Sequence, residues 1–266
     1  MVEISPKDRF VTVYGRKPVL EVLADPGLTV DKVVLADTAR GAAAGEILRA
    51  ADARGVPVQR ASAHRVKVLA GNGKQDQGVL ADVVAPHMRP LAAALSGSRA
   101  PRSVLVLDGI TTPANVGMII RTATAAGVGG IVLPRRGVAS LDPLVVKASA
   151  GIAFRAPLLR CATAGDAAVE LRSAGYRLFG LDGSARRSVF TAEFPGRAAF
   201  VLGGETAGVG PEVRGLVHEW VSIPMAGGVE SLNVASAAAV LCFELVRRAG
   251  VSGSVNVSGS PARKGR

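Results

Sequence analysis

Val104-Leu-Val-Leu-Asp-Gly-Ile-Thr-Thr-Pro-Ala-Asn-Val-Gly-Met-Ile-Ile-Arg-Thr-Ala-Thr-Ala-Ala-Gly127 decides the fold class of this 266-residue chain. Its first four residues form an unbroken apolar run, which predicts a strand buried on both faces of a parallel sheet. Thr112 and Pro113 then supply an N-cap and a first-turn proline, whose missing N–H is no loss there. The helix that follows is expected to stop at Gly127. Downstream the pattern repeats, with strands predicted at 130–133, 156–159, 177–181, 198–202 and 220–223. Helical stretches lie between most of them, and a last helix is predicted over 232–249. This alternation argues for an α/β fold, an open parallel sheet covered by helices.

Upstream, the first ninety residues read as a smaller α/β unit. Pro18 fits the first position of a helix reaching Leu23, and residues 42–53 form a second helix with Gly55 just past its end. Strands are expected at 32–36, 56–60 and 79–84. Punctuation by Pro, Gly and Ser between Pro86 and Pro101 marks a linker. The division is therefore 1–98 for an N-terminal unit with its linker, 99–250 for the large domain, and 251–266 for a disordered basic tail.

Composition narrows the function. A chain that is 48% hydrophobic and 20% charged is globular, which excludes a disordered or collagen-like protein. No apolar run approaches the ~18–20 residues of a membrane span, and the N-terminus lacks the apolar core of a signal peptide. Cys161 and Cys242 form no CxxC pair. These features lead to the expectation of a soluble, cytoplasmic protein without a membrane partner. Net charge is +11, with Lys and Arg exceeding Asp and Glu in each of the three segments. Such an excess, mostly Arg, fits a polyanionic partner, and nucleic acid is the leading candidate. A GC-rich genome could give the same composition.

Several motifs fail. Gly71-Asn-Gly-Lys74 lacks the first glycine and the Ser/Thr of a phosphate loop and reads as a turn. Gly203-Gly-Glu-Thr-Ala-Gly208 follows a late strand, whereas a dinucleotide fingerprint follows the first. His64, His87 and His218 have no partners at metal-ligand spacing, so no metal is expected.

Three stretches are far more specific. They are Asp108 through Gly127, Phe200-Val-Leu-Gly-Gly-Glu-Thr-Ala-Gly-Val209, and Ile223-Pro-Met-Ala-Gly-Gly-Val-Glu-Ser-Leu-Asn-Val-Ala-Ser-Ala237. In this order they resemble the three motifs of the SpoU/TrmH family in the SPOUT superfamily, over residues 103–249. Tyr14-Gly-Arg-Lys-Pro-Val-Leu-Glu-Val-Leu23 and Gln77-Gly-Val-Leu-Ala81 are similar to the RNA-binding domain, related to a ribosomal-protein fold, of rRNA-directed members. The resemblance implies an S-adenosylmethionine-dependent RNA ribose 2′-O-methyltransferase. It also implies a trefoil knot in the C-terminal sheet, and a homodimer in which each site is completed by the partner chain.

Residue by residue, the resemblance assigns a cofactor site to Leu202, Gly203, Gly204, Gly208, Ile223, Met225 and Leu232. Glycines permit close backbone approach, and the apolar side chains suit an adenine slot. Main-chain groups around Leu202, Gly203, Ile223 and Leu232 would meet the adenine's polar edge. Taken singly, these residues also fit ordinary core packing. The catalytic set is Asn115, Arg121, Glu205, Ser231 and Asn233. Arg121 is the family's activator of the 2′-hydroxyl, but a guanidinium stays protonated in proteins, which favours a phosphate anchor. Asn115 would orient Arg121 or the ribose, and Glu205 would fix Asn115 or the substrate. Ser231 and Asn233 would hold the loop or the ribose, or cap the last helix. Where family members often carry an acidic residue before the first motif's proline, this chain has Thr112, which supports the same helix. Large-subunit rRNA is the expected substrate, for housekeeping or resistance. The alternatives are a tRNA ribose methyltransferase and a catalytically silent RNA-binding relative.

Overall fold

A computed structural model describes residues 8–71, 76–97 and 100–252. The first sheet comprises β1 (Phe10–Tyr14), β2 (Val30–Ala36), β3 (Val58–Ala61) and β4 (Val79–Val84), in the order β1-β4-β2-β3. Helices α1 (Arg16–Ala24), α2 (Ala42–Ala53) and α3 (Ala63–Ala70) cover it. Pro18 lies at the third position of α1 rather than the first, because Gly15 is the N-cap. The third N–H of a helix is equally unpaired, so proline is tolerated there too. The proposed turn at 71–74 lies mostly outside the described residues.

The second sheet has eight strands. They are β5 (Arg89–Pro90), β6 (Ser103–Leu107), β7 (Gly130–Pro134), β8 (Leu158–Cys161), β9 (Arg177–Leu181), β10 (Arg187–Ser188), β11 (Ala198–Leu202) and β12 (Glu219–Ser222). Their order is β10-β12-β9-β11-β6-β7-β8-β5, and every pairing is parallel. The strand expected at 156–159 sits two residues later, since Pro157 has no N–H to give the ladder. The connecting helices are α4 (Leu91–Leu95), α5 (Pro113–Ala125), α6 (Pro143–Ala148), α7 (Ala164–Ser173), α8 (Pro211–Arg214) and α9 (Val234–Ser252). Two-residue β5 joins this sheet from a segment that the sequence places beside the N-terminal unit.

Strand β6 is central, and both its faces are buried. Val104 and Val106 pack with residues of α4, α7 and α8, while Leu105 and Leu107 pack with α5 and α9. All four are inaccessible to solvent, as the unbroken apolar run requires. Thr112 does stand at the N-cap of α5, but its side chain makes no capping hydrogen bond. Gly127 terminates the helix with φ +70°. From β6 the chain winds outward through β7 and β8, then returns on the other side to β9, β11 and β12. That reversal makes a switch point, and the carboxyl ends of these strands open a crevice there.

The last helix begins two residues later than predicted, at Val234, because Asn233 caps it by accepting from the Ala235 N–H at 2.9 Å. It extends to Ser252, two residues into the segment expected to be a tail. Near its end the buried Glu244 accepts from Arg247 at 2.7 and 2.8 Å and from Arg248 at 2.6 Å. Arg248 also lies 4.5 Å from the Phe194 ring centroid and donates to the carbonyls of Val189 and Ala192. This clamp fastens α9 to the segment after β10.

Hydrogen bonds from Arg247, and then Arg248, hold the Glu244 carboxyl down at about 2 from its ordinary 4.5. The folded value is the lower one, so the clamp contributes fully above pH 4.5 and is lost as pH falls toward 2. Glu244→Gln is therefore expected to lower the melting temperature at neutral pH and to flatten its fall below pH 4.5. Thermal unfolding followed by circular dichroism across pH checks this, and parallel pH profiles would contradict it.

Candidate active site

At the carboxyl ends of β9, β11 and β12 lies a cavity of about 430 Å³. Ten of the twelve residues singled out from the sequence line it: Leu202, Gly203, Gly204, Glu205, Gly208, Ile223, Met225, Ser231, Leu232 and Asn233. Asn115 and Arg121 do not. Leu202, Val209, Val221, Ile223, Met225 and Leu232 make an apolar wall, while Asp182, Arg214, Glu230 and Glu205 add charge.

The loop after β11 is a tight hairpin, closed by hydrogen bonds from Gly204 N–H to Gly208 O at 3.0 Å and from Gly208 N–H to Gly204 O at 2.9 Å. Gly208 has φ +65°, which suits glycine. Packing within the chain also requires glycine at Gly203 and Gly204. A Cβ on Gly203 would stand 2.2 Å from the Gly208 carbonyl carbon, and one on Gly204 would stand 2.3 Å from Gly109 O. The chain's own backbone fills that space. Asp108 at the end of β6 secures the arrangement, accepting from the Gly210 N–H at 2.7 Å while its own N–H donates to Leu202 O.

The hairpin presents Glu205 to two amides. Asn115 Nδ2 donates to Glu205 Oε1 at 2.7 Å, and Asn233 Nδ2 donates to the same oxygen at 2.9 Å. Asn233 Nδ2 also lies 3.1 Å from Asn115 Oδ1. Asn115 is almost fully buried in the first turns of α5, so its amide is fixed by packing as well as by bonding. One carboxylate thus gathers all three sequence motifs. Asn115 meets Glu205 and does not touch Arg121.

Arg121 lies on the exposed stripe of α5 with Ala114 and Met118, and hydrogen-bonds no other described residue. Ser231 is exposed at the cavity mouth and caps nothing among the described residues. Leu202 O is occupied by Asp108, so less of the main chain is free for a ligand than the sequence suggested. Ile223 and Leu232, by contrast, carry main-chain groups unbonded to other described residues. Leu232 is 39% exposed, an apolar side chain left at the rim of an apolar slot. This combination fits the flat, polar-edged adenine ring. No set of three metal-ligating side chains occurs among the described residues.

Sequence reasoning missed Asp182 and Arg214. The available signal was Leu181-Asp-Gly-Ser184 directly after a predicted strand, where parallel sheets place ligand contacts.

Known proteins share this architecture and its motifs. The SpoU rRNA methylase family model matches residues 102–243, and the model for RNA 2′-O ribose methyltransferase substrate binding matches 12–89. A 23S rRNA (guanosine-2′-O-)-methyltransferase RlmB from Ralstonia nicotianae is 34% identical, over 84% of this chain and 90% of that protein. The RlmB of a Burkholderia species is 36% identical over 71% of this chain and 76% of that protein. The crystal structure of the SpoU methyltransferase AviRb from Streptomyces viridochromogenes, in complex with AdoMet, superposes with a TM-score of 0.61. It is 27% identical, and the match covers 92% of this chain and 91% of that one. The chain belongs to the SpoU rRNA methylase family.

Because Gly203 has no room for a side chain, Gly203→Ala is expected to displace the hairpin and lower stability by about 1–3 kcal/mol, the usual cost of overpacking. Denaturant titration checks this, and a variant as stable as the parent chain would contradict the packing account.

Proposed function

We propose that this chain methylates a ribose 2′-hydroxyl of large-subunit rRNA, using S-adenosylmethionine. The observation that carries the reading is the convergence of Asn115, Glu205 and Asn233 beside a slot suited to adenine. When bound, S-adenosylmethionine supplies a methyl group on a positively charged sulfur. The chain's part is to hold donor and hydroxyl in line, since orientation contributes much of the rate. Ile223, Met225 and Leu232 would grip the adenine. Glu205, buttressed by two amides, fixes the floor where the hydroxyl must sit. Its oxygens accept only, so it orients donors and leaves the guanidinium of Arg121 to neutralise a phosphate.

The placement of Arg121 supports a homodimer. Met118, on the same stripe of α5, is 41% exposed, and Phe243 on α9 is 53% exposed. The helices that carry these two exposed apolar side chains pack against one another. A second copy covering the exposed stripe of α5 would bring Arg121 to the partner's cavity. The trefoil knot belongs to the same proposal. It is supported by the 203–208 hairpin packed on Gly109 and by the return of residues 223–233 to Asn115. Residues 1–98 we assign to RNA recognition, with Arg16 and Lys17 exposed at the start of α1. Lys74 lies outside the described residues. The cytoplasm is the assigned compartment.

Mapping 2′-O-methyl sites in 23S rRNA from cells with and without the gene tests the reading. One site disappearing with the gene is expected, and an unchanged map contradicts it. Arg121→Ala should abolish transfer while cofactor affinity stays within roughly threefold, and Arg121→Lys should be poor because a point charge cannot replace a planar fork. Mixed with Asn233→Ala subunits, the Arg121→Ala chain should recover about a quarter of full activity, since half the dimers carry one intact site. No recovery would place Arg121 in its own chain's site.

RNA affinity should fall steeply with salt. Five phosphate contacts give a log–log slope near −3.5, roughly a hundredfold loss over a fourfold rise in salt. Filter binding on an rRNA fragment measures this, and a flat response removes the electrostatic role of the +11 charge.

A further inference from the structure

The cavity's polar wall holds a carboxylate that the three motifs do not account for. Asp182 is the first residue after β9 and lines the cavity. Its Oδ1 accepts from the Ser184 N–H at 2.9 Å and the Ser184 hydroxyl at 2.7 Å, a local turn that fixes the side chain. These two donors, the hydroxyl first, hold its pKa below the ordinary carboxylate range, so it is an acceptor at neutral pH. Oδ2 hydrogen-bonds nothing among the described residues. The nearest cation, Arg214, stands 3.8 Å away, beyond hydrogen-bond reach, and lies over the Trp220 ring at 4.7 Å.

Sheet order says which part of the ligand meets that oxygen. Strands β12, β9 and β11 are neighbours in that order, about 4.8 Å apart. The adenine slot is built at the end of β12, by Ile223 and Met225. The reacting end lies past β11, at Glu205 with Asn115 and Asn233. Asp182 is on the strand between. In an adenosyl group the ribose lies between the base and the sulfur, so the order along the ligand matches the order across the sheet. The methionine ammonium lies beyond the sulfur, at least one strand further on. Glu205 is engaged by two amides, and Glu230 sits on an exposed loop without a comparable anchor.

We propose that the Asp182 carboxylate, through Oδ2, accepts the 2′- and 3′-hydroxyls of the cofactor's ribose and so sets where the methyl group lies. This rests on assigning the cavity to S-adenosylmethionine. A carboxylate at the end of a parallel strand is well suited to a vicinal diol, since it accepts at both lone-pair positions and repels a phosphate. A cofactor lacking the diol, or carrying a phosphate on it, is thereby excluded.

The test is calorimetric titration of the full-length protein with S-adenosylhomocysteine and with its 2′,3′-dideoxy counterpart. Asp182→Asn is the variant, because the amide oxygen can still hold the Ser184 turn while the other position becomes a donor. Its melting temperature is compared with that of the parent chain. Removing the hydroxyls should weaken binding roughly ten- to hundredfold in the parent chain, as expected for hydrogen bonds to a charged group. In Asp182→Asn the same removal should cost less than about threefold. An equal loss in both proteins, or no loss in the parent, overturns the assignment of Asp182. A parent chain that binds neither ligand overturns the cofactor reading itself, a separate outcome.

Discussion

A single carboxylate oxygen, Oε1 of Glu205, holds the site together. It accepts from Asn115 in the first turns of α5 and from Asn233 at the head of α9, residues 90 and 28 positions away. Because Asn233 also caps α9, the start of that helix cannot move without disturbing the carboxylate. Glu205 stands on a hairpin that only glycines can close against Gly109 and Gly208. Backbone sterics thus fix the hairpin, the hairpin fixes the carboxylate, and the carboxylate fixes both helix starts. The slot walled by Ile223, Met225 and Leu232 is a consequence, since these residues fill the return path from β12 to Asn233.

Much of the fold could be read from local pattern. The central strand showed as four apolar residues because it is buried on both faces, and Gly55 and Gly127 ended their helices as expected. Strand β1 escaped although Phe10-Val-Thr-Val-Tyr14 is made of β-branched and aromatic residues, whereas the other elements that escaped lack such a signal. Helix α3 buries only Val66 and Ala70, too few for an apolar face to stand out. Strands β5 and β10 are two residues long and have no periodicity to detect. The shift of β8 follows from Pro157, which has no N–H for the ladder, so pairing with β7 starts at Leu158.

The site was legible in its parts and less so in its assembly. Ten of the residues carried over by resemblance share one cavity, but no spacing rule says that Glu205 meets Asn115 rather than substrate. The glycine pair lines the cavity and also meets the chain's own backbone, a packing demand that no residue list reveals. Arg121 was read as facing the reaction, yet it lies on an outward stripe with Met118. That position fits the proposed second copy, which would carry it to the partner's cavity. Asp182 was missed because a lone aspartate after a strand is common, and its meaning comes from the order of neighbouring strands.

The central claim is methyl transfer to a ribose oxygen, and the most direct measurement is the fate of a labelled methyl group. The full-length protein is incubated with methyl-tritiated S-adenosylmethionine and unmodified large-subunit rRNA, and the RNA is then hydrolysed in alkali. A methylated 2′-oxygen cannot attack the adjacent phosphate, so the account predicts label confined to one alkali-resistant dinucleotide. Label released with mononucleotides would show methylation of a base, and no incorporation would show that the site does not perform this chemistry. Either result would contradict the account.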